Sequence, residues 1–322
     1  MTDDRDLIGA IDIGGTKVAI GLVTLDGQIK NRRNIRTDSL PDGAAALDAI
    51  ESKLNECLRE ASTPISSIGI GCTGPVDPIS GVVGKVANLP GWQGLKLVDE
   101  LAKRFSVPVA MENDADAAAL AEATWGSGIG VDRFLYVTLS TGIGTGFLQQ
   151  GQVYRGVDGA HPEMGHHTID PSGPKCYCGA SGCWESLASG NAIREWYLEN
   201  DHSHRFTADS FSAETIFELN RAGDALAGKA IDRLSYYVGL GLANLTTILV
   251  PGLITIGGGL TLSSDTFLDR AVEAFRSRCR EVPSEKTMVR TASLQNDVGL
   301  AGPAAVWVQR RHQAALKEAI LE

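Results

Sequence analysis

Residues Leu7–Ile13 (LIGAIDI) are apolar apart from one aspartate and read as a buried strand. A small-residue turn, Gly14-Gly15-Thr16, follows, and then a second apolar run, Val18–Val23. A hairpin is therefore expected after the glycines. Asp26-Gly27 marks a turn into a third strand near Ile29. Ala44–Glu60 has apolar residues at helical spacing, Ser67–Cys72 (SIGIGC) reads as a strand and Leu95–Phe105 as a helix. Val107–Met111 is a strand running into Glu112-Asn113-Asp114. Ala115–Trp125 is an alanine-rich helix for which Asp114 is the expected cap.

The opening pattern then recurs. Arg133–Leu139 (RFLYVTL) is a strand, Ser140–Gly146 (STGIGTG) a glycine-rich turn, and Phe147-Leu148 leads to a second Gly-Gln turn, about 124 residues after the first. A repeat at that period predicts two similarly built α/β domains, facing each other with one glycine turn on each side of a cleft. The expected division is residues 1–118 and 119–301. Helical Ala225–Leu249, a strand at Leu253–Ile256 and Gly257-Gly258-Gly259 continue the second half. A final helix, about Gly299–Ile320, is expected to cross back, with residues 302–322 packing on the first domain.

Length and composition agree with this plan. The chain of 322 residues suits two domains of roughly 150 residues each. Apolar residues make up 43% and charged residues 21%, as in ordinary globular proteins. A formal charge of −10 argues against a general nucleic-acid or anionic-membrane surface. The acidic start, MTDDRDLIG, lacks the basic opening of a signal peptide, and no apolar run approaches the roughly 20 residues that span a bilayer. A cytoplasmic address is expected.

Six cysteines are too few for a disulfide scaffold. Cys57, Cys72 and Cys279 stand alone and are expected to pack as small apolar groups. Cys176, Cys178 and Cys183 instead crowd into eight positions, with His166-His167 just upstream. By themselves these residues leave a redox centre, a disulfide and a metal site open.

Glycines after a strand leave backbone N–H groups free to cradle phosphate oxygens. Asp12–Lys17 (DIGGTK) and Thr138–Gly146 (TLSTGIGTG) are two such turns, and neither matches a P-loop or a dinucleotide fingerprint. Either alone is a weak signal; their pairing strengthens it. Asp12 beside a phosphate turn suits Mg²⁺ and its water shell. Asp114, where a strand ends, is placed to take the proton of a hydroxyl under phosphorylation, and Asn113 to hold a neighbouring hydroxyl. A purely capping role for Asp114 is the competing local reading.

Together DIGGTK at 12–17, ENDA at 112–115, TLSTGIGTG, PEMGH at 162–166 and CYCGASGCWE at 176–185 resemble the ROK family of sugar kinases and sugar-responsive repressors. The resemblance spans essentially the whole chain, and its CxCGxxGCxE element is highly specific. It implies the actin-like, hexokinase-type fold, with ATP and Mg²⁺ held by Asp12, Gly14, Gly15, Thr16 and Lys17 and by Ser140, Thr141, Gly142 and Gly144. Gly257, Gly258 and Gly259 would border the adenosine. Asp114 takes the general-base role, and Asn88, Asn113, Asp114, Glu163, His166 and Glu185 contact the sugar. His166, Cys176, Cys178 and Cys183 match the family's structural Zn²⁺ ligands, a closed tetrahedral set. His167 is then a bystander. A homodimer is also implied.

The resemblance favours glucose as substrate. His161-Pro162 ahead of Glu163 instead resembles ROK fructokinases, so a fructokinase or an N-acetylhexosamine kinase is the alternative; His161 either packs or shapes the sugar pocket. The donor is ATP, with polyphosphate as the other option. A repressor would need a DNA-binding module ahead of DIGGTK, where only eleven residues stand, and is not expected. A non-catalytic sugar sensor is the remaining, distant alternative.

Overall fold

The structure, a computed structural model of the chain, describes residues 6–203, 205–207, 211–263 and 266–321. The acidic start at residues 1–5 lies outside the described residues. In chain order come β1 (Leu7–Ile13), β2 (Lys17–Thr24), β3 (Ile29–Arg36), α1 (Gly43–Ala61), β4 (Ile65–Cys72), the short β5 (Val76–Asp77) and β6 (Val82–Val83), α2 (Leu97–Phe105), β7 (Val109–Asn113) and α3 (Asp114–Trp125). They continue with β8 (Arg133–Leu139), β9 (Ile143–Gln149), β10 (Gln152–Val153), α4 (Trp184–Ala188), α5 (Gly190–Asn200), α6 (Ala213–Arg221) and α7 (Ala225–Leu249). The last elements are β11 (Leu253–Gly257), α8 (Gly259–Ser263), α9 (Thr266–Arg278), β12 (Met288–Thr291) and α10 (Val298–Leu321). Among the described residues no helix is long and apolar enough to cross a membrane.

Two five-stranded sheets carry the fold, ordered β3-β2-β1-β4-β7 and β10-β9-β8-β11-β12. The second repeats the order of the first. In the first, β1–β2 and β2–β3 pair antiparallel, and β1–β4 and β4–β7 pair parallel. In the second, β8–β11 and β11–β12 are parallel and β9–β10 antiparallel. The hairpin expected after DIGGTK is β1–β2, with Ile13 opposite Val18.

The chain divides into two compact units. The first takes residues up to Val131, Gly146–Pro162 and those from Ser293 onward; the second takes Asp132–Thr145 and Glu163–Ala292.

In the first unit, alternation along β1 sends Leu7, Ile11 and Ile13 to a core shared with α1 and α2, while Ile8 and Ala10 face α10 with Leu300, Ala304 and Val308. Gly69 on β4 permits a close approach there: an added Cβ would lie 1.8 Å from the Pro303 carbonyl oxygen of α10. In the second unit, α7 and α9 meet at Gly239, where an added Cβ would lie 2.4 Å from the Ala271 carbonyl oxygen. Phe217 of α6 and Phe267 of α9 pack with ring centroids 5.8 Å apart.

α3 is buried on every side. Its residues Ala115 through Glu122 are all buried, which explains the alanine-rich sequence: small side chains let several segments come close at once. Gly302 of α10 packs on Ala117, and Gly146 packs on Ala115 and Ala119. Two of the buried residues are acids, Asp116 and Glu122. Glu122 accepts from Ser127 N and Oγ, Ser293 Oγ and Leu294 N at 2.8–2.9 Å. One carboxylate thus ties the segments on either side of the second unit's sequence to α3.

The cap is a correction to the sequence reading. Asn113, not Asp114, caps α3: its side-chain oxygen accepts from Ala115 N at 2.9 Å and Asp116 N at 3.4 Å. β7 accordingly runs on to Asn113, two residues beyond the expected end.

Glu122→Ala would remove the shared acceptor of four donors around a buried position. The expected loss is about 3 kcal/mol or more of unfolding free energy, read as a lowered denaturant midpoint; a midpoint equal to wild type would contradict the anchoring role.

Candidate active site and zinc-ligand cluster

The first unit gathers one set of the expected residues. Ile13 passes its carbonyl to Thr73 N at 2.8 Å, so β1 and β4 end together. The DIGGTK turn closes through Gly14 N to Lys17 O at 3.0 Å, and Thr37 Oγ1 donates to Gly14 O at 2.8 Å. Asn88 lies against this turn: an added Cβ on Gly15 would sit 2.8 Å from its Nδ2. Its loop is anchored by fully buried Trp92 and nearly buried Leu89.

Asp12 points to the face of the sheet that carries α3 and α10; an added Cβ on Gly299 would lie 3.0 Å from its Oδ2. Its carboxyl is pushed up to about 8, first by burial and then by the charge of Asp114, with Lys17 and Arg32 opposing. Asp114 opens α3, and its Oδ1 accepts from Ala115 N at 2.9 Å. Two carboxylates therefore share one poorly solvated corner beside the DIGGTK turn. The Cys72 thiol under them is raised as well, by burial first and then by Asp114 and Asp12. It is fully buried, like Cys57, and Cys279 is nearly so, as expected of packing residues.

That corner fits a divalent cation. A cation bound near Asp12 would offset both the burial and the Asp114 charge that now disfavour its ionised form.

Beside it lies a set of charges that sequence reasoning missed. Arg155 pairs with Glu112 and lies 3.5 Å from Asp116. His161 Nδ1 is 2.8 Å from Asp116 Oδ2, so this histidine is bound to the buried acid of α3. The available signal was Asp116 itself, an acid in an alanine-rich helix that needs a partner if buried.

The second unit gathers the other set. Ser140 N donates to Gly142 O at 3.0 Å, and the first residue of α5, Gly190, braces the turn by donating to Ser140 O at 2.7 Å. Gly258, at φ +94°, lies so close to Leu139 that an added Cβ would be 2.3 Å from its carbonyl oxygen. Gly257–Gly259 thus borders the Ser140–Gly144 turn. Glu185 joins the turn to the cysteine cluster. Its Oε2 accepts from Ile143 N at 2.8 Å, and a Cβ on Gly142 would meet the same oxygen at 2.4 Å. Gly165, next to His166, packs on the Ile143 carbonyl at a Cβ distance of 2.4 Å.

His166, Cys176, Cys178 and Cys183 bring their ligand atoms within 4.8 Å of one another. His166 Nδ1 is 3.4 Å from Cys176 Sγ, and Cys178 Sγ is 3.5 Å from Cys183 Sγ. A tetrahedral zinc with bonds near 2.3 Å to sulfur separates its ligands by roughly 3.8 Å, so the cluster fits that ion. All the cysteines are free. Burial pushes Cys183 up to about 12 and raises Cys176, whereas the Ala180 backbone N–H chiefly lowers Cys178. Holding all three as thiolates needs a cation. The loop can turn this tightly because Gly182 has φ +68°, and a Cβ there would collide with the Asp170 carbonyl at 1.5 Å. Trp184 fixes the cluster to α7 by donating to Tyr237 O at 2.9 Å and packing on Gly241. His167 faces away, against Trp184 and its own turn's Met164 carbonyl.

Tyr177, between two of the cysteines, is a further residue the sequence did not single out. Its hydroxyl lies 2.9 Å from His166 Nε2, and its ring stands edge-on to the imidazole at 5.0 Å. Glu163 lies in the same unit as His166 and Glu185, and both carboxylates add to the rise of the Tyr177 phenol that burial begins.

The pattern description of the ROK family matches residues 8–310. The chain belongs to the ROK family. Among ROK relatives, a glucokinase of Halalkalibacterium halodurans is 31% identical over 98% of this chain and 98% of its own length. An N-acetylmannosamine kinase of Yersinia pestis is 32% identical over 93% of this chain and 97% of its own. The crystal structure of a ROK glucokinase from Streptomyces griseus in complex with glucose and AMPPNP superposes with a TM-score of 0.80, at 31% identity, covering 92% of this chain and 98% of that one. The fold of this ROK protein is the actin-like one, and the repeated sheet order is its signature here.

Two outcomes are expected. Asp12 favours its protonated form in the folded state, so its contribution to stability is full below about pH 4 and is lost as pH rises toward 8. In metal-free protein Asp12→Asn should therefore raise the melting temperature at pH 8 by a few degrees, about 2–4 °C for each kcal/mol, and leave it unchanged near pH 4. Equal melting at pH 8 would contradict the burial of that charge. Elemental analysis should find about one zinc per chain, lost in Cys178→Ala together with thermal stability.

Proposed function

We infer that the protein is an ATP-dependent hexose kinase that converts glucose to glucose 6-phosphate. The observation that carries this reading is Asp114 at the first residue of α3, beside Asp12 and the first glycine turn. A phosphoryl acceptor needs one carboxylate at its hydroxyl and a set of backbone donors at the phosphates. The glucokinase relatives over nearly the whole chain, and the related structure named for its glucose and AMPPNP, support the choice of substrates.

In the proposed reaction the sugar 6-hydroxyl oxygen attacks the γ-phosphorus as its bond to the ADP oxygen breaks. Asp114 accepts the hydroxyl proton. Asn113 spends its side-chain oxygen on the α3 cap, which leaves its amide hydrogens to offer a neighbouring hydroxyl. Asn88, Glu163, His166 and Glu185 hold the remaining hydroxyls. The phosphates take backbone donors from Gly14–Thr16 with Lys17 and from Ser140–Gly144, and Gly257–Gly259 borders the adenosine. Mg²⁺ on the phosphates, held through its waters by Asp12, would neutralise charge as ADP leaves. Zinc on His166, Cys176, Cys178 and Cys183 would be structural, since four protein ligands leave it no open position. A homodimer in the cytoplasm completes the proposal, on the strength of the family resemblance.

A second reading keeps the machinery and changes the sugar: the N-acetylmannosamine kinase relative favours an N-acetylhexosamine. Coupled ADP release with ATP-Mg²⁺ and glucose, fructose, mannose, N-acetylglucosamine or N-acetylmannosamine separates the two. Glucose should be preferred, and Asp114→Ala should lose at least about a hundredfold in kcat with zinc retained. Wild-type turnover in that variant would refute the base, and preference for an acetylated sugar would install the second reading. No turnover with any sugar, from ATP or polyphosphate, would sink the kinase reading.

A further inference from the structure

Tyr177 stands 79% exposed, yet its hydroxyl ends inside the group of side chains proposed to hold the sugar. His166 turns Nδ1 to Cys176 Sγ and the ligand cluster, so Nε2 is the nitrogen it has left for anything else. That nitrogen is 2.9 Å from the Tyr177 hydroxyl and 4.0 Å from Glu185 Oε1. Glu185 holds the glycine turn with its other oxygen. A phenol, like a sugar hydroxyl, both donates and accepts a hydrogen bond. It can therefore satisfy an imidazole nitrogen and a carboxylate as a sugar hydroxyl would.

We propose that Tyr177 is a built-in competitor of the sugar, its phenol occupying the place of one sugar hydroxyl at His166 and Glu185 until the substrate displaces it. The inference rests on the kinase reading above and adds to it a residue that tunes sugar affinity. The geometry suits displacement. Bound to an ion, the cysteines on either side would hold the backbone, while the ring reaches inward from an exposed position and can swing out without opening the core. Sugar affinity is then reduced by the fraction of chains in which the phenol is seated. The tyrosine would also keep the His166 nitrogen and the Glu185 carboxylate hydrogen-bonded whenever no sugar is present.

The test compares wild type with Tyr177→Phe and Tyr177→Ala, all zinc-replete. Glucose binding is measured by calorimetry without ATP, and KM and kcat by ADP release. Both variants should bind glucose about fivefold more tightly, the worth of one released hydrogen bond. KM should fall in step, kcat should move by less than about twofold, and zinc content should stay at the wild-type value. A phenol that merely braced the loop would lower zinc content or melting temperature and leave KM unimproved, which overturns the proposal. So does weaker glucose binding in Tyr177→Phe, which would make the hydroxyl a contact to bound sugar. If wild type neither binds nor phosphorylates any sugar, the kinase reading falls and takes this proposal with it. Phosphorylation by wild type with KM unmoved in the variants removes the tyrosine's role alone.

Discussion

Burying a carboxylate is costly unless hydrogen bonds replace its water, and α3 buries two. Asp116 and Glu122 sit on a helix so rich in alanine that nothing on the helix itself can satisfy them. Asp116 is met by His161 and Arg155, and Glu122 by Ser293 and Leu294 as well as by nearby Ser127. All but Ser127 lie in the segments where the first unit resumes after the second unit's stretches of sequence. The fold of that unit is therefore specified by polar requirements as well as by apolar burial, because the returning chain must bring partners to both acids. The proposed base belongs to the same helix. Asp114 is the first residue of α3, so the bonds that hold Asp116 and Glu122 also fix its backbone.

The second unit solves an analogous problem with thiolates. Cys176 and Cys183 are buried, and as bare thiolates they would be as costly as the acids. A single ion in the His-Cys₃ cluster would do for them what His161, Arg155 and the backbone do for α3. From that cluster Glu185 reaches back to the Ile143 amide, so ligand cluster and glycine turn are one connected structure. Displacing the cysteine loop would shift an expected sugar ligand and an expected phosphate cradle together. That coupling gives a physical reason for the cysteine cluster to accompany the glycine turn in one chain.

Much of this was legible in the sequence, for identifiable reasons. β1, α1, β8 and α7 announce themselves by apolar period, and the repeat from LIGAIDI to RFLYVTL anticipated the matching sheet orders. The cysteine cluster was legible through its resemblance to the ROK ligand set, since the cysteines alone left redox, disulfide and metal readings open. α4 to α6, α9 and β12 were not, since their signals are short or diluted by polar residues. The cap was misassigned between neighbours. Asn113 and Asp114 are both good caps, and which of them precedes the first helical residue depends on where β7 stops, a matter of pairing with β4. Tyr177 carried no signal at all. Its significance comes from lying opposite His166, eleven residues away in sequence.

The segment ahead of Glu163 left two readings of His161, one in which it packs and one in which it shapes the sugar pocket. In the structure the ring's Nδ1 is bound to Asp116, an acid with 1% of its side chain exposed. That acid lies two residues beyond the proposed base, so the contact acts on the α3 backbone. A ring held this way, with 10% of its side chain exposed, is spent on packing the first unit. On the proposed reaction, the choice among hexoses would then be made by groups other than His161.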